Sequence, residues 1–283
     1  MHIPDGFLST PVWMALDAAA LPAVAIVVRK AQRTFEDGRI PLLGVMGAFV
    51  FASQMINFPV VSGTSSHLVG GALLAFTLGP AAASVVMAAI LAIQALVFQD
   101  GGVLAMGANV VNMAIAGVLA GYLPFHLCGA GRWRRSAIFA GGALSVLVSA
   151  LLALAELRIS RVPMPPAALG LSAVVFAVSA VLEGAITLAV IQALEKIQPN
   201  FVRKPAGARS FALGTMSVTA VLLAAVGVVF ASTDPDGIER LTHYEAAGQT
   251  AWLTKAAAAL GGLVLIYAAC LAIGRLVARR RSV

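Results

Sequence analysis

Long apolar runs separated by short polar links make up most of the chain. A helix needs about 20 mostly apolar residues to cross a bilayer. Nine stretches approach or reach that length: Pro11–Val28, Ile40–Phe58, Leu68–Gly79, Ala81–Phe98, Val103–Pro124, Ser136–Leu157, Leu169–Leu194, Phe211–Ala231 and Ala256–Val277. Leu68–Gly79, at 12 residues, is the short one and also fits a re-entrant segment. The pattern predicts an all-α, polytopic membrane protein of about nine transmembrane helices. Pro163, Pro165 and Pro166 stiffen one link. The basic stretch Gln198–Ser210, with its Pro and Gly, reads as a module boundary.

Charge decides which side each link faces. With nine crossings and the N-terminus outside, 15 of the 19 Lys and Arg lie on the inner side. Only Arg158, Arg161, Arg240 and Lys255 then lie outside. If Leu68–Gly79 did not cross, 11 of the inner basic residues would fall outside, so the positive-inside rule favours a crossing and a cytoplasmic C-terminus. Composition agrees: 60% of residues are hydrophobic and 11% charged, far from a soluble domain. The net charge of +7 is therefore read as topology, and no nucleic-acid role is expected. Met1 to Asp17 contains no Lys or Arg, so no signal-peptide n-region is expected and the N-terminus is read as retained.

Several chemistries lack their residues. None of Lys30, Lys196, Lys204 and Lys255 follows a glycine, so there is no G-x-x-x-x-G-K-[ST] phosphate cradle. His2, His67, His126 and His243 form no i, i+4 pair, and no G-x-S-x-G elbow occurs. Cys128 and Cys270 are far apart and outside any C-x-x-C, which gives no disulfide framework or zinc site. An enzyme is not expected.

The chain opens Met1-His2-Ile3-Pro4-Asp5-Gly6. A histidine at position 2 sets three nitrogens within two residues: the α-amine of Met1, the main-chain nitrogen of His2 and its imidazole. Together they can chelate one ion in fused five- and six-membered rings, the larger closed by Nδ1. A planar N₄ set needs a fourth donor, and the predicted topology offers His67 on the same side of the membrane. Such a set suits Ni²⁺ or Cu²⁺ and can hold Co²⁺. Capture would displace protons from the donors and fail in acid.

Four stretches stand out together: Met1-His2-Ile3 with Gly6-Phe7-Leu8, Leu43 to Phe51 with Gln54 and Asn57-Phe58-Pro59, Gly63-Thr64-Ser65 with His67 to Gly71, and Gly107 to Met113. In combination they resemble the metal-binding subunits of cobalt and nickel energy-coupling factor transporters. That resemblance implies that Met1, His2 and His67 bind a transported Ni²⁺ or Co²⁺ in a seven-helix unit, residues 1–210, with no organic cofactor. Where the family pattern usually has glycine, this chain has Ser66. Asp234-Pro235-Asp236-Gly237-Ile238-Glu239 resembles a motif of a two-helix companion subunit, here fused as residues 211–283. That fusion favours nickel over cobalt. The resemblance further implies a transmembrane coupling subunit and cytoplasmic ATPases as partners, and a bacterial or archaeal cell membrane as the location.

Asp5, Gln54, Asn57, Ser65, Asn109 and Asn112 are candidates to support the ligands from behind, since ligating imidazoles usually donate their other N–H. For each carboxamide among them, a bond from helix to helix is the favoured alternative use, and for Asp5 an ordinary place in a turn. Asp17 and Glu183 are carboxylates within apolar segments, which mark a pathway or a partner surface. Gly117-x-x-x-Gly121 and Ala15-x-x-x-Ala19 allow close helix approach. His126 reads as interfacial, and His243 as part of the outer hairpin. An intramembrane metal-dependent hydrolase using the same histidines is the rival reading, and a pure scaffold is another. A hydrolase needs an open coordination position and a general base, and a filled N₄ plane offers neither readily.

Overall fold

The computed structural model describes residues 1–34, 39–61, 64–198, 202, 261–262, 264–272 and 275. Their regular secondary structure is helical apart from one short pair of strands. The elements are α1 (Thr10–Thr34), α2 (Ile40–Gln54), β1 (Phe58–Val61), β2 (Thr64–Ser66), α3 (Gly71–Leu78), α4 (Pro80–Phe98), α5 (Met106–Cys128), α6 (Arg134–Ile159) and α7 (Pro166–Ile197). Prolines at the starts of α2, α4 and α7 preset helical φ where the missing N–H has no partner to lose.

Five helices, α1 and α4 to α7, are long and apolar enough to cross a membrane. The predicted segment Ile40–Phe58 is helical only to Gln54, after which Phe58 and Pro59 enter β1 opposite Ser66 and Ser65. Proline disfavours helix at the residue before it, which removes the last turn of the expected helix. The predicted Leu68–Gly79 helix shrinks to Gly71–Leu78, about 12 Å of helix. Neither α2 nor α3 reaches a full span alone, so the described residues do not establish nine crossings. The stretches expected at Phe211–Ala231 and around Asp234–Arg240, with His243 and most of the linker at 198–210, lie outside the described residues.

Helix α2 is buried from Leu42 to Gln54, as expected of a helix that is apolar all round. Helix α1 lies at the edge of the bundle, with only Ala20 and Ala31 buried. Helices α6 and α7 pack along each other, α5 packs on α6, and α3 sits among α4, α5 and α6. Gly117 and Gly121 of α5 are used inside the bundle: side chains there would run into Ser149, Ser145 and Ala72. Ala15 and Ala19 stay exposed. Helical residues 264–272 lie on α2, where Tyr267 and Cys270 abut Gly44 and Gly47. Two stretches have the wider π geometry, Gln94–Phe98 within α4 and Val110–Gly117 within α5. Such stretches recur at functional sites, and both lie next to residues described below.

Candidate metal centre

The first four residues are buried, and Ile3 is entirely so. An apolar side chain fastens this arm, while α5 and the loop before it satisfy its backbone. The Asn109 carboxamide accepts from the Ile3 N–H at 2.8 Å and donates to the Ile3 carbonyl at 3.1 Å. Gly102 N–H donates to the same carbonyl at 2.9 Å. Asp5 then accepts from the main-chain N–H groups of Val103, Leu104 and Ala105 at 2.9, 2.8 and 3.2 Å. These groups precede α5, where open N–H donors and the helix dipole favour a carboxylate. Gly101, at φ +93°, leaves room for the Cβ of His2, which any side chain there would crowd. Asp17 of α1 accepts from Gly107 N–H at 2.7 Å, so this carboxylate locks two helices together.

The arm delivers the Met1 amine to His67, 2.8 Å from Nε2 in a buried setting. His67 Nδ1 lies 2.9 Å from the Leu68 carbonyl. A carbonyl only accepts, so Nδ1 carries the proton and Nε2 presents its lone pair to the amine. The support expected from a carboxamide is thus supplied by the main chain. His67 to Gly70 run without helix, which is tolerated at membrane depth only where protein satisfies the backbone. Here Glu183 of α7 accepts from Val69 and Gly70 N–H, each at 2.7 Å, and Gln54 Nε2 donates to the Val69 carbonyl at 2.7 Å. Gly70, at φ +76° and tight against Val50, starts α3.

His2 completes the cluster. Its ring stacks on that of His67, with centroids 5.4 Å apart and planes 7° from parallel. Its Nδ1 faces Asp100 Oδ1 at 3.0 Å. Its Nε2 is buried and has no hydrogen-bond partner among the described residues. Partial burial works to raise the Asp100 pKa, but the charge and hydrogen bond of His2, with His67 and the Met1 amine, hold it below the usual carboxylate range. Among the described residues no three His, Cys, Asp or Glu side chains converge as a metal cage. The donors brought together are an amine, a main-chain amide and two imidazoles.

Of the remaining expected residues, Asn112 donates to Glu156 Oε2 at 2.8 Å, a helix-to-helix bond and not a contact with either histidine. Asn57 is half-buried ahead of β1 with no side-chain hydrogen bond among the described residues. The Ser65 side chain lies outside the description. The Ser66 and Ser179 hydroxyls are 2.7 Å apart, so the residue standing where glycine is usual is tied to α7. Sequence reasoning missed Asp100 and Gln94. Asp100 N–H donates to the Gln94 carbonyl at 3.0 Å, and Gln94 Nε2 donates to Gln54 Oε1 at 2.9 Å. A continuous path therefore runs from His2 through Asp100, Gln94 and Gln54 to Val69, two residues from His67.

Comparison with known proteins gives the arrangement a family. Residues 2–201 match the model of the cobalt uptake substrate-specific transmembrane region. The cobalt transport protein CbiM of Thermosediminibacter oceani is 33% identical over 69% of this chain and 84% of its own. The fused nickel transport protein NikMN of Rhodobacter capsulatus is 36% identical over 58% of this chain and 48% of its own. A crystal structure described as a truncated transition metal transporter superposes with a TM-score of 0.61 at 32% identity, covering 70% of this chain and 99% of that one. The chain accordingly belongs to the cobalt uptake substrate-specific transmembrane family.

Proposed function

We propose that this chain captures Ni²⁺ or Co²⁺ at the outer face of a bacterial or archaeal cell membrane, as the metal-binding subunit of an energy-coupling factor importer. The observation that carries the reading is the meeting of the Met1 amine with His67 Nε2 at 2.8 Å, with the His2 ring stacked on that of His67. The ligand set is the Met1 amine, the His2 main-chain nitrogen and Nδ1, and His67 Nε2. Four nitrogens in a plane favour nickel. The nickel transport function named for the fused relative supports the same choice, with cobalt as the alternative.

The sequence has no phosphate cradle, so ATP hydrolysis falls to cytoplasmic ATPases, linked through a transmembrane coupling subunit. Residues 1–210 form the metal-binding unit and 211–283 the companion module. The distribution of Lys and Arg supports an outer N-terminus and an inner C-terminus.

Titrating purified protein with Ni²⁺ and Co²⁺, with native Met1 and with one residue added before it, tests the reading. The native chain is expected to bind one ion and the extended chain none. Equal binding by both would remove the α-amine from the site, and the tighter ion identifies the cargo.

A further inference from the structure

Loading poses a geometric problem at His2. Only Nδ1 closes a six-membered ring with the main-chain nitrogen of the same residue, yet Nδ1 faces Asp100 at 3.0 Å while Nε2 is buried without a partner among the described residues. A half-turn of the imidazole about Cβ–Cγ exchanges Nδ1 with Cδ2 and Cε1 with Nε2. It moves Nδ1 away from the carboxylate and brings Nε2 to the side Asp100 occupies.

We infer that Asp100 is a positioning residue for metal capture, holding His2 through Nδ1 before the ion arrives and through Nε2–H once Nδ1 has turned to it. The inference rests on the proposed Met1, His2 and His67 site. In the neutral ring, loss of a proton from Nδ1 to water and gain of one at Nε2 balance as the metal–Nδ1 bond forms.

Asp100 is placed for this by more than one contact. Its N–H is fixed on the Gln94 carbonyl, and Gln94 is tied through Gln54 to the segment that follows His67. Gln99 (φ 55°) and Gly101 (φ 93°) on either side turn the backbone so that the carboxylate meets the ring. Its side chain is 42% exposed against 4% for His2, so it stands where the buried pair opens outward. A carboxylate behind a metal-bound imidazole fixes the ring's tautomer and raises its basicity, and here it also offsets charge brought by the ion.

The test uses the full chain with native Met1 and Ni²⁺ alone as the probe. Planar low-spin Ni²⁺ is diamagnetic, so ¹⁵N NMR of ring-labelled histidine can follow His2 in the unaltered protein, assigned with a His2→Ala variant. The proton is expected on Nδ1 without metal and on Nε2 with it. Calorimetry should show Asp100→Ala weakening Ni²⁺ binding about 10–100-fold, with Asp100→Glu recovering part of the loss. The idea is overturned if loaded His2 keeps its proton on Nδ1, or if a folded Asp100→Ala variant binds within twofold of the native chain. The one-residue N-terminal extension separates the two levels. If it binds as tightly as the native chain, the proposed site itself is wrong. If it fails to bind while Asp100→Ala is unaffected, only the role of Asp100 is wrong.

Discussion

Asn109 grips Ile3 by both of its main-chain polar groups, accepting at 2.8 Å and donating at 3.1 Å. One side chain 106 residues away thereby copies the pairing of a neighbouring strand and fixes the arm that carries Met1 and His2. Asn109→Leu should leave the buried Ile3 N–H unpaired, while the Ile3 carbonyl keeps Gly102, at about 1–3 kcal/mol. Metal affinity should fall about 10–100-fold, as when support behind a ligand is lost. Thermal unfolding without metal and calorimetry with Ni²⁺ read the two effects separately.

Glu183 should matter as much from the opposite side. It accepts two main-chain N–H groups, and Glu183→Gln turns one acceptor into a donor aimed at a donor. We expect lower thermal stability without metal and a binding loss near tenfold or more, larger again for Glu183→Leu. A variant with native stability and affinity would show that the loop after His67 holds its shape unaided.

Ser66→Gly should be mild. The Ser66 hydroxyl meets Ser179 on α7, and its loss removes one neutral hydrogen bond, worth about 1 kcal/mol. Metal affinity should stay within a fewfold by calorimetry. A large loss would mean that the serine shapes the site directly.

Acid should empty the site through the nitrogen donors. Binding displaces their protons, so occupancy falls as pH drops. Asp100 has a folded-state pKa held below the ordinary carboxylate value. Its contribution is therefore complete above that ordinary value and lost only as pH falls through the lowered one. Nickel content measured against pH should accordingly decline before Asp100 is protonated, and Asp100→Asn should lower affinity without introducing a new step near pH 4.

The legible and illegible parts of this protein differ in how local their causes are. The apolar runs of α4 to α7 announce themselves, because lipid demands about 20 apolar residues in sequence. His2 is equally plain, since its chelate lies within two residues of chain. The true start of α3 is not, because the N–H groups of Val69 and Gly70 in the open stretch are met by Glu183, more than 110 residues away. Asp100 reads in the sequence as one acidic residue of a Gln-Asp-Gly-Gly turn, a common composition for a helix end. Nothing local says that this turn meets residue 2. Glu183 was recognisable as a costly carboxylate, but its partners are main-chain groups and leave no trace in residue types.

The π stretch at Gln94–Phe98 sets where Asp100 falls. The Gln94 carbonyl accepts from both Gln99 and Asp100, five and six residues on, where a regular helix would close on Phe98. A deletion of one residue between 95 and 98 would let the helix return to its normal winding and swing the following loop by about 100°. Asp100 would then leave His2, and Gly101 and Gly102 would leave the arm. The length of a single helical turn thus acts as a vernier on the distance between the loop that follows it and the N-terminal arm, and insertions or deletions there should be far less tolerable than substitutions.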